Sequence, residues 1–195
     1  MNALEEAFEN KKFQRLVQQD IPSLIEKADA EALKYGKTGM EMGSVRKKHI
    51  IDFFIKYFGE KRVELTSSGQ LGMDFKIDSI PIKIKTITGM GGVKITWTTD
   101  KDKLENFISD YKPVCGILLI RINWEMKEKN QPSGMFWIPI ELQMEVLKQL
   151  SVENYLTPPK RGINSRGVPI SKKALEILLK NKETKHVDIN WRLNK

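Results

Sequence analysis

The sequence predicts an α/β protein in which a mixed β-sheet is flanked by helices, organised as one domain over residues 1–195. Three observations carry that expectation. The spacing of apolar residues changes from three-to-four before Gly59 to two after it. Asp78 and Ser79, both turn formers, separate the extended segments MDFKID and IPIKIKTI as the tip of a hairpin. The run VCGILLIRI is apolar at successive positions, as a strand buried on both faces of a sheet must be, and a short amphipathic helix precedes it. A chain of 195 residues with 40% hydrophobic content holds one substantial core and is short for two.

Residues 1–36 form a helical N-terminal region. Leu4, Phe8, Phe13, Leu16, Val17, Leu24, Ile25, Ala28, Ala32 and Leu33 recur at helical spacing. Pro22 interrupts them, which predicts two amphipathic helices. The stretch GKTGMEMGS follows, and then a helix from about Ser44 to Phe58, ended by Gly59. Its apolar face is Val45, Ile51, Phe54, Ile55 and Phe58. Strands are expected at 62–65, 73–78 and 80–87, with GMGG at 89–92 closing the third. A helix over 101–110, with Leu104, Phe107 and Ile108 inward, leads to the strand VCGILLIRI, and that crossover permits a parallel pairing. Beyond the polar loop KEKNQPSG come a short strand MFWI, a helix over about 139–150, the loop TPPKRGINSRGVP, a helix over about 171–181 and a terminal strand HVDINWRL.

Composition excludes several function classes. No apolar run reaches the ~18 residues needed to span a bilayer, and the charged, amphipathic start is unlike a secretory signal, so a soluble, intracellular protein is expected. Cys115 is the lone cysteine and sits in an apolar run, which reads as core and rules out a disulfide framework or a thiolate zinc cluster. His49 and His186 have no acidic or cysteine neighbours at ligand spacing and receive no metal role. No Walker loop, Rossmann glycine pattern or nucleophile elbow is present. The formal charge of +8 favours a polyanionic partner, because each phosphate neutralised by Lys or Arg releases counterions.

Asp74 lies on the first hairpin strand. Lys83 and Lys85 lie two apart on the next, so both lysines point to one face of the sheet. Phosphodiester hydrolysis needs that mixture: a carboxylate to hold Mg²⁺ against a nonbridging oxygen, and an amine to stabilise charge or orient the attacking water. The plainer alternative is the basic, solvated face of an edge hairpin.

From about residue 43 to 122, this order of elements and residues resembles the PD-(D/E)xK nuclease superfamily, which includes most type II restriction endonucleases. In that family a helix precedes a three-stranded meander, and a helix and strand complete the αβββαβ core. Asp74 then matches the metal-binding aspartate and Lys85 the lysine of the tripeptide. Lys83 stands where the tripeptide has Asp or Glu, so one metal ligand is missing. In members similar to the ThaI type a Glu from the preceding helix completes the site. Here the helix-borne candidates are Glu41 and Asp52, while Arg46 and Lys47 occupy the usual early-helix positions. Glu41 equally suits a capping box with Thr38, and Asp52 a solvent-facing position.

The resemblance implies a cytoplasmic, Mg²⁺-dependent endonuclease that works as a homodimer on a short symmetric sequence in double-stranded DNA. A cognate DNA methyltransferase is implied functionally, without physical partnership. Two alternatives stay open: a nuclease-fold DNA-binding protein that cuts nothing because Lys83 replaces an acid, and a structure-specific repair nuclease.

The region from about 135 to 195 is expected to serve recognition and dimerisation. Lys160, Arg161, Asn164 and Arg166 share a glycine-flanked loop, and Arg pairs bidentately with guanine as Asn does with adenine. The alternative is a solvated loop. Trp97, Thr98 and Thr99 suit phosphate contact, or core in the case of Trp97. Met40 and Met42, flanked by glycines, suit an apolar wedge between base steps, or else a loop packed on its own domain.

Overall fold

A computed structural model describes residues 2–66, 72–89, 92–96, 101–124, 132–157 and 167–191. Three helices come first: α1 (Ala3–Glu9), α2 (Lys11–Lys34) and α3 (Met40–Phe58). The hairpin region gives β1 (Val63–Leu65), β2 (Phe75–Ile77) and β3 (Ile80–Thr88), then a short β4 (Lys94–Thr96). Helix α4 (Lys101–Ser109) leads into β5 (Gly116–Ile122), followed by β6 (Gly134–Ile138), α5 (Ile140–Leu150) and α6 (Val152–Tyr155). The chain ends through β7 (Val168–Pro169), α7 (Lys172–Lys180) and β8 (Lys185–Asp188).

The main sheet is mixed, in the order β1-β2-β3-β5-β6-β8. Strands β3 and β5 run parallel from Ile82 beside Gly116 to Thr88 beside Ile122, as the helical crossover expects, and the other pairs are antiparallel. Alternation along β3 and β5 divides the interior. Ile82, Ile84, Leu118, Ile120 and Ile122 pack under α1, α2 and α3, whereas Ile87, Ile117 and Leu119 face α5, α6 and α7. A second, two-stranded sheet pairs β4 with β7 and was not foreseen from sequence.

The expected helix break at Pro22 is corrected by the structure. Pro22 lies inside continuous α2, and the break falls at Asn10. Asn10 closes α1 and caps α2, its Oδ1 accepting from the amides of Lys12 at 2.8 Å and Phe13 at 3.4 Å. Phe13, Val17, Ile21, Ile25, Ala28 and Ala32 are buried along one uninterrupted stripe. That burial, at ~1.5–3 kcal/mol per large side chain, outweighs the ~3 kcal/mol an interior proline costs.

Helix α3 begins four residues earlier than the periodicity predicts. Gly39, at φ 58°, is its N-cap and no side chain caps it, so the Thr38–Glu41 capping box does not form. At the hairpin, Ile77 pairs with Ile80 and leaves Asp78 and Ser79 as a two-residue turn with φ of 46° and 69°. Both values are left-handed, as a turn matching the twist of two strands requires. Among the described residues, no helix is long and apolar enough to cross a membrane.

Candidate active site

Asp74 immediately precedes β2, at the end of the hairpin away from the turn. Its backbone N–H donates to the Ile82 carbonyl at 2.8 Å, and its Oδ2 accepts from the Ile84 N–H at 2.8 Å. The side chain thus continues the strand ladder. One carboxylate oxygen is fixed by the backbone and the other, Oδ1, is left for the groove.

That second oxygen meets lysines. The Lys47 Nζ donates to Oδ1 at 2.7 Å, and the Lys83 Nζ lies 3.9 Å from the same atom. Lys47 comes from α3, whose start is fixed from behind by its neighbour Arg46. Arg46 is buried and bidentate to Asp29 of α2, through Nε to Oδ1 at 2.6 Å and Nη2 to Oδ2 at 2.8 Å. Its Nη1 also reaches the Thr88 hydroxyl at 3.4 Å, which ties α3 to the end of β3.

Lys83 and Lys85 share a face of β3, as the alternation predicts, and both line a groove of ≈ 950 Å³ floored by β3 and the start of β5. Burial, reinforced by the neighbouring ammonium groups of Lys83 and Lys47 against the opposing pull of Asp74, lowers the Lys85 pKa from 10.5 to about 8. Cys115 borders the same groove as a buried thiol, with its pKa pushed up to about 11 by desolvation. It is core, as its apolar run predicts.

The two helix-borne acids fall on one stripe of α3, at i and i+11, with Ser44 and Lys48 between them. They are about 16 Å apart along the axis, so one ion cannot take both. Asp52 is exposed and lines the smaller groove that contains Asp74, Lys47 and Lys83. Glu41 is exposed in the first turn of α3 and borders neither groove. No cluster of three or more His, Cys, Asp or Glu side chains able to hold a metal occurs among the described residues.

Met42 is half-buried and packs against Ala28, Ala32 and Val45, with its sulfur 3.5 Å from Arg46 Nη2. Met40 opens α3 directly after Gly39. Lys160, Arg161, Asn164 and Arg166 lie outside the described residues, as do Trp97, Thr98 and Thr99. His49 Nε2 donates to the Glu31 carboxylate at 2.9 Å, a surface pair remote in sequence from Asp74.

The sequence placed Lys47 at one of the usual early-helix positions but did not predict its pairing with Asp74. Helical spacing, three residues after Ser44 and four before Ile51, puts it on the side of α3 that borders the groove.

A family model described as "Restriction endonuclease ThaI" matches residues 7–195. A solved structure described as a restriction endonuclease in complex with substrate DNA is 34% identical in sequence and superposes with a TM-score of 0.90. The match covers 100% of this chain and 92% of that one. No curated protein matches the chain.

Proposed function

The chain belongs to the ThaI family of restriction endonucleases, and from that premise we propose that it cuts double-stranded DNA at a short symmetric sequence, with Mg²⁺ as cofactor and two copies acting as a homodimer. Residues 1–195 form one nuclease domain in this reading, and the enzyme works in the cytoplasm, where a cognate methyltransferase would protect host DNA. The observation that carries it is Asp74, with Oδ2 locked to Ile84 and Oδ1 turned toward the lysines of the smaller groove. The solved relative is described with substrate DNA, which supports the same class of substrate here.

The residues present fit Mg²⁺ of one particular kind. Mg²⁺ dehydrates reluctantly and is commonly bound through one or two carboxylates plus substrate phosphate, with water in the remaining positions. Asp74 Oδ1 would be one ligand. The second carboxylate would come from α3, either Glu41 or Asp52, and the groove that Asp52 shares with Asp74 favours Asp52. When bound, Mg²⁺ supplies Lewis-acid polarisation of the scissile phosphate.

The chain's own residues do the rest. Ile84 N–H holds the Asp74 carboxylate in one orientation. Lys83 places a positive charge beside a phosphate oxygen. Lys85, with its lowered pKa, orients the attacking water and takes up its proton at Nζ in the neutral fraction. Lys160, Arg161, Asn164 and Arg166 would read base edges, and Met40 would wedge between base steps, since Met42 is engaged in packing.

Incubation of plasmid DNA with the protein and Mg²⁺, followed by sequencing of the product ends, tests this. Discrete fragments with defined ends are expected from wild type, and none from Asp74→Ala or Lys85→Ala. Equal cleavage by all three would remove the site assignment. A second reading, a DNA-binding protein without turnover, is favoured by the two lysines crowding Asp74 where acids would stand. It predicts retained DNA binding with no product under Mg²⁺ or Mn²⁺.

A further inference from the structure

The Asp74 oxygen that faces away from the backbone, Oδ1, is occupied by an ammonium group. Oδ2 is held by the Ile84 amide, while Lys47 Nζ sits 2.7 Å from Oδ1 with Lys83 a further 3.9 Å contact on the same atom. A divalent ion on Oδ1 would lie within a few ångströms of the Lys47 ammonium, and the repulsion between them weakens binding of the ion while the lysine stays in place.

The partners differ in freedom to move. The Asp74 side chain is 9% exposed and anchored to the ladder, whereas Lys47 is 33% exposed on a four-carbon stem. Lys47 and Lys83 border both the groove containing Asp74 and the ≈ 950 Å³ groove next to it, so a rotamer change of Lys47 carries its charge between them. With Lys47, Lys83 and Lys85 around one carboxylate, the formal charge is +2, which disfavours a second cation until an anion arrives.

We propose that Lys47 is a positioning residue that competes with the divalent metal for Asp74, holding Oδ1 in the DNA-free protein and releasing it when a phosphodiester in the groove draws the ammonium away. The proposal rests on the nuclease reading of the site. It makes metal binding depend on DNA, so that the free protein carries little metal.

Calorimetric titration of the DNA-free protein with Mn²⁺ tests this without any measurement of cleavage. Lys47→Met and Lys47→Gln are expected to bind Mn²⁺ about tenfold or more tighter than wild type. Lys47→Arg keeps the charge and retains the weak wild-type affinity. Asp74→Asn placed in the Lys47→Met background abolishes the gain. Melting temperatures of the variants identify any that fail to fold, and the Met and Gln variants carry the same expectation independently. Equal Mn²⁺ affinity in wild type, Lys47→Met and Lys47→Gln overturns the proposal, as does a gain that survives Asp74→Asn. Cleavage of plasmid by wild type is scored separately, so failure of the nuclease reading is distinguishable from failure of the competition.

Discussion

Lys85 is the lysine of the proposed site whose chemistry the fold changes. Its pKa near 8 leaves an appreciable neutral fraction at mildly alkaline pH, where an ordinary lysine at 10.5 would have almost none. If its neutral amine takes the proton of the attacking water, the logarithm of the cleavage rate climbs with pH and levels off near 8. Lys83→Met removes one of the charges that lower this pKa, so the limb moves to higher pH; a limb that stays in place denies Lys85 the role. Stability carries the same sign. Lys85 is depressed in the folded state, so between about 8 and 10.5 the unfolded chain binds more protons and folding stability rises with pH. Lys85→Met flattens that rise, as urea midpoints at pH 7.5 and 10 would show. The shared face of Lys83 and Lys85 was legible in the sequence, because strand alternation alone places side chains two apart together. Lys47 was not. Its contact joins a helix to a loop 27 residues away, and nothing local in the sequence encodes that approach.

At the scale of elements, turn chemistry and close packing decide what each change costs. Ser79 holds φ at 69°, a conformation that costs a residue with a Cβ about 1 kcal/mol. Ser79→Gly therefore raises the unfolding free energy by roughly that amount, measurable as a shift in urea midpoint with unchanged slope. Asp78 also has positive φ, but its carboxylate pairs with Arg62, so Asp78→Gly exchanges relieved strain for a lost surface ion pair and comes out near zero. Gly116, at the start of β5, behaves oppositely. A Cβ there would stand 1.9 Å from the Trp137 ring on β6, so Gly116→Ala forces the sheet open and costs ~1–3 kcal/mol or more, with a fall in melting temperature. The Asp78-Ser79 hairpin and the parallel β5 were readable because both depend on local residue types and on the length of an apolar run. The continuity of α2 through Pro22 was not readable from local rules, since tertiary burial of its stripe overrides the proline. The pairing of β4 with β7 was hidden because those two strands lie more than 70 residues apart in the chain and each is at most three residues long.

For the whole molecule, the fold is that of a restriction endonuclease, and the proposed chemistry provides one Asp74–Lys85 site per chain. A symmetric duplex site presents two antiparallel strands related by two-fold symmetry, so the proposed homodimer would set one site on each strand. The net charge of +8 supplies attraction to the backbone, and binding should weaken steeply between ~50 and ~200 mM salt. That attraction is blind to sequence; register must come from base contacts, where Met40→Ala is expected to lose site-specific binding without a change in melting temperature. The proposed dimer makes a sharper demand on the products. A homodimer turns supercoiled plasmid directly into linear DNA, with little nicked circle at any time. Mixing wild type with excess Asp74→Ala subunits then forms dimers with one working site, and nicked circles accumulate in proportion to those mixed dimers. A monomeric enzyme would nick first and linearise later on its own, and adding the inactive variant would slow it without changing the ratio of nicked to linear product. Agarose-gel time courses at several mixing ratios separate the two patterns, and sedimentation of the free protein reports whether the dimer forms before DNA is met.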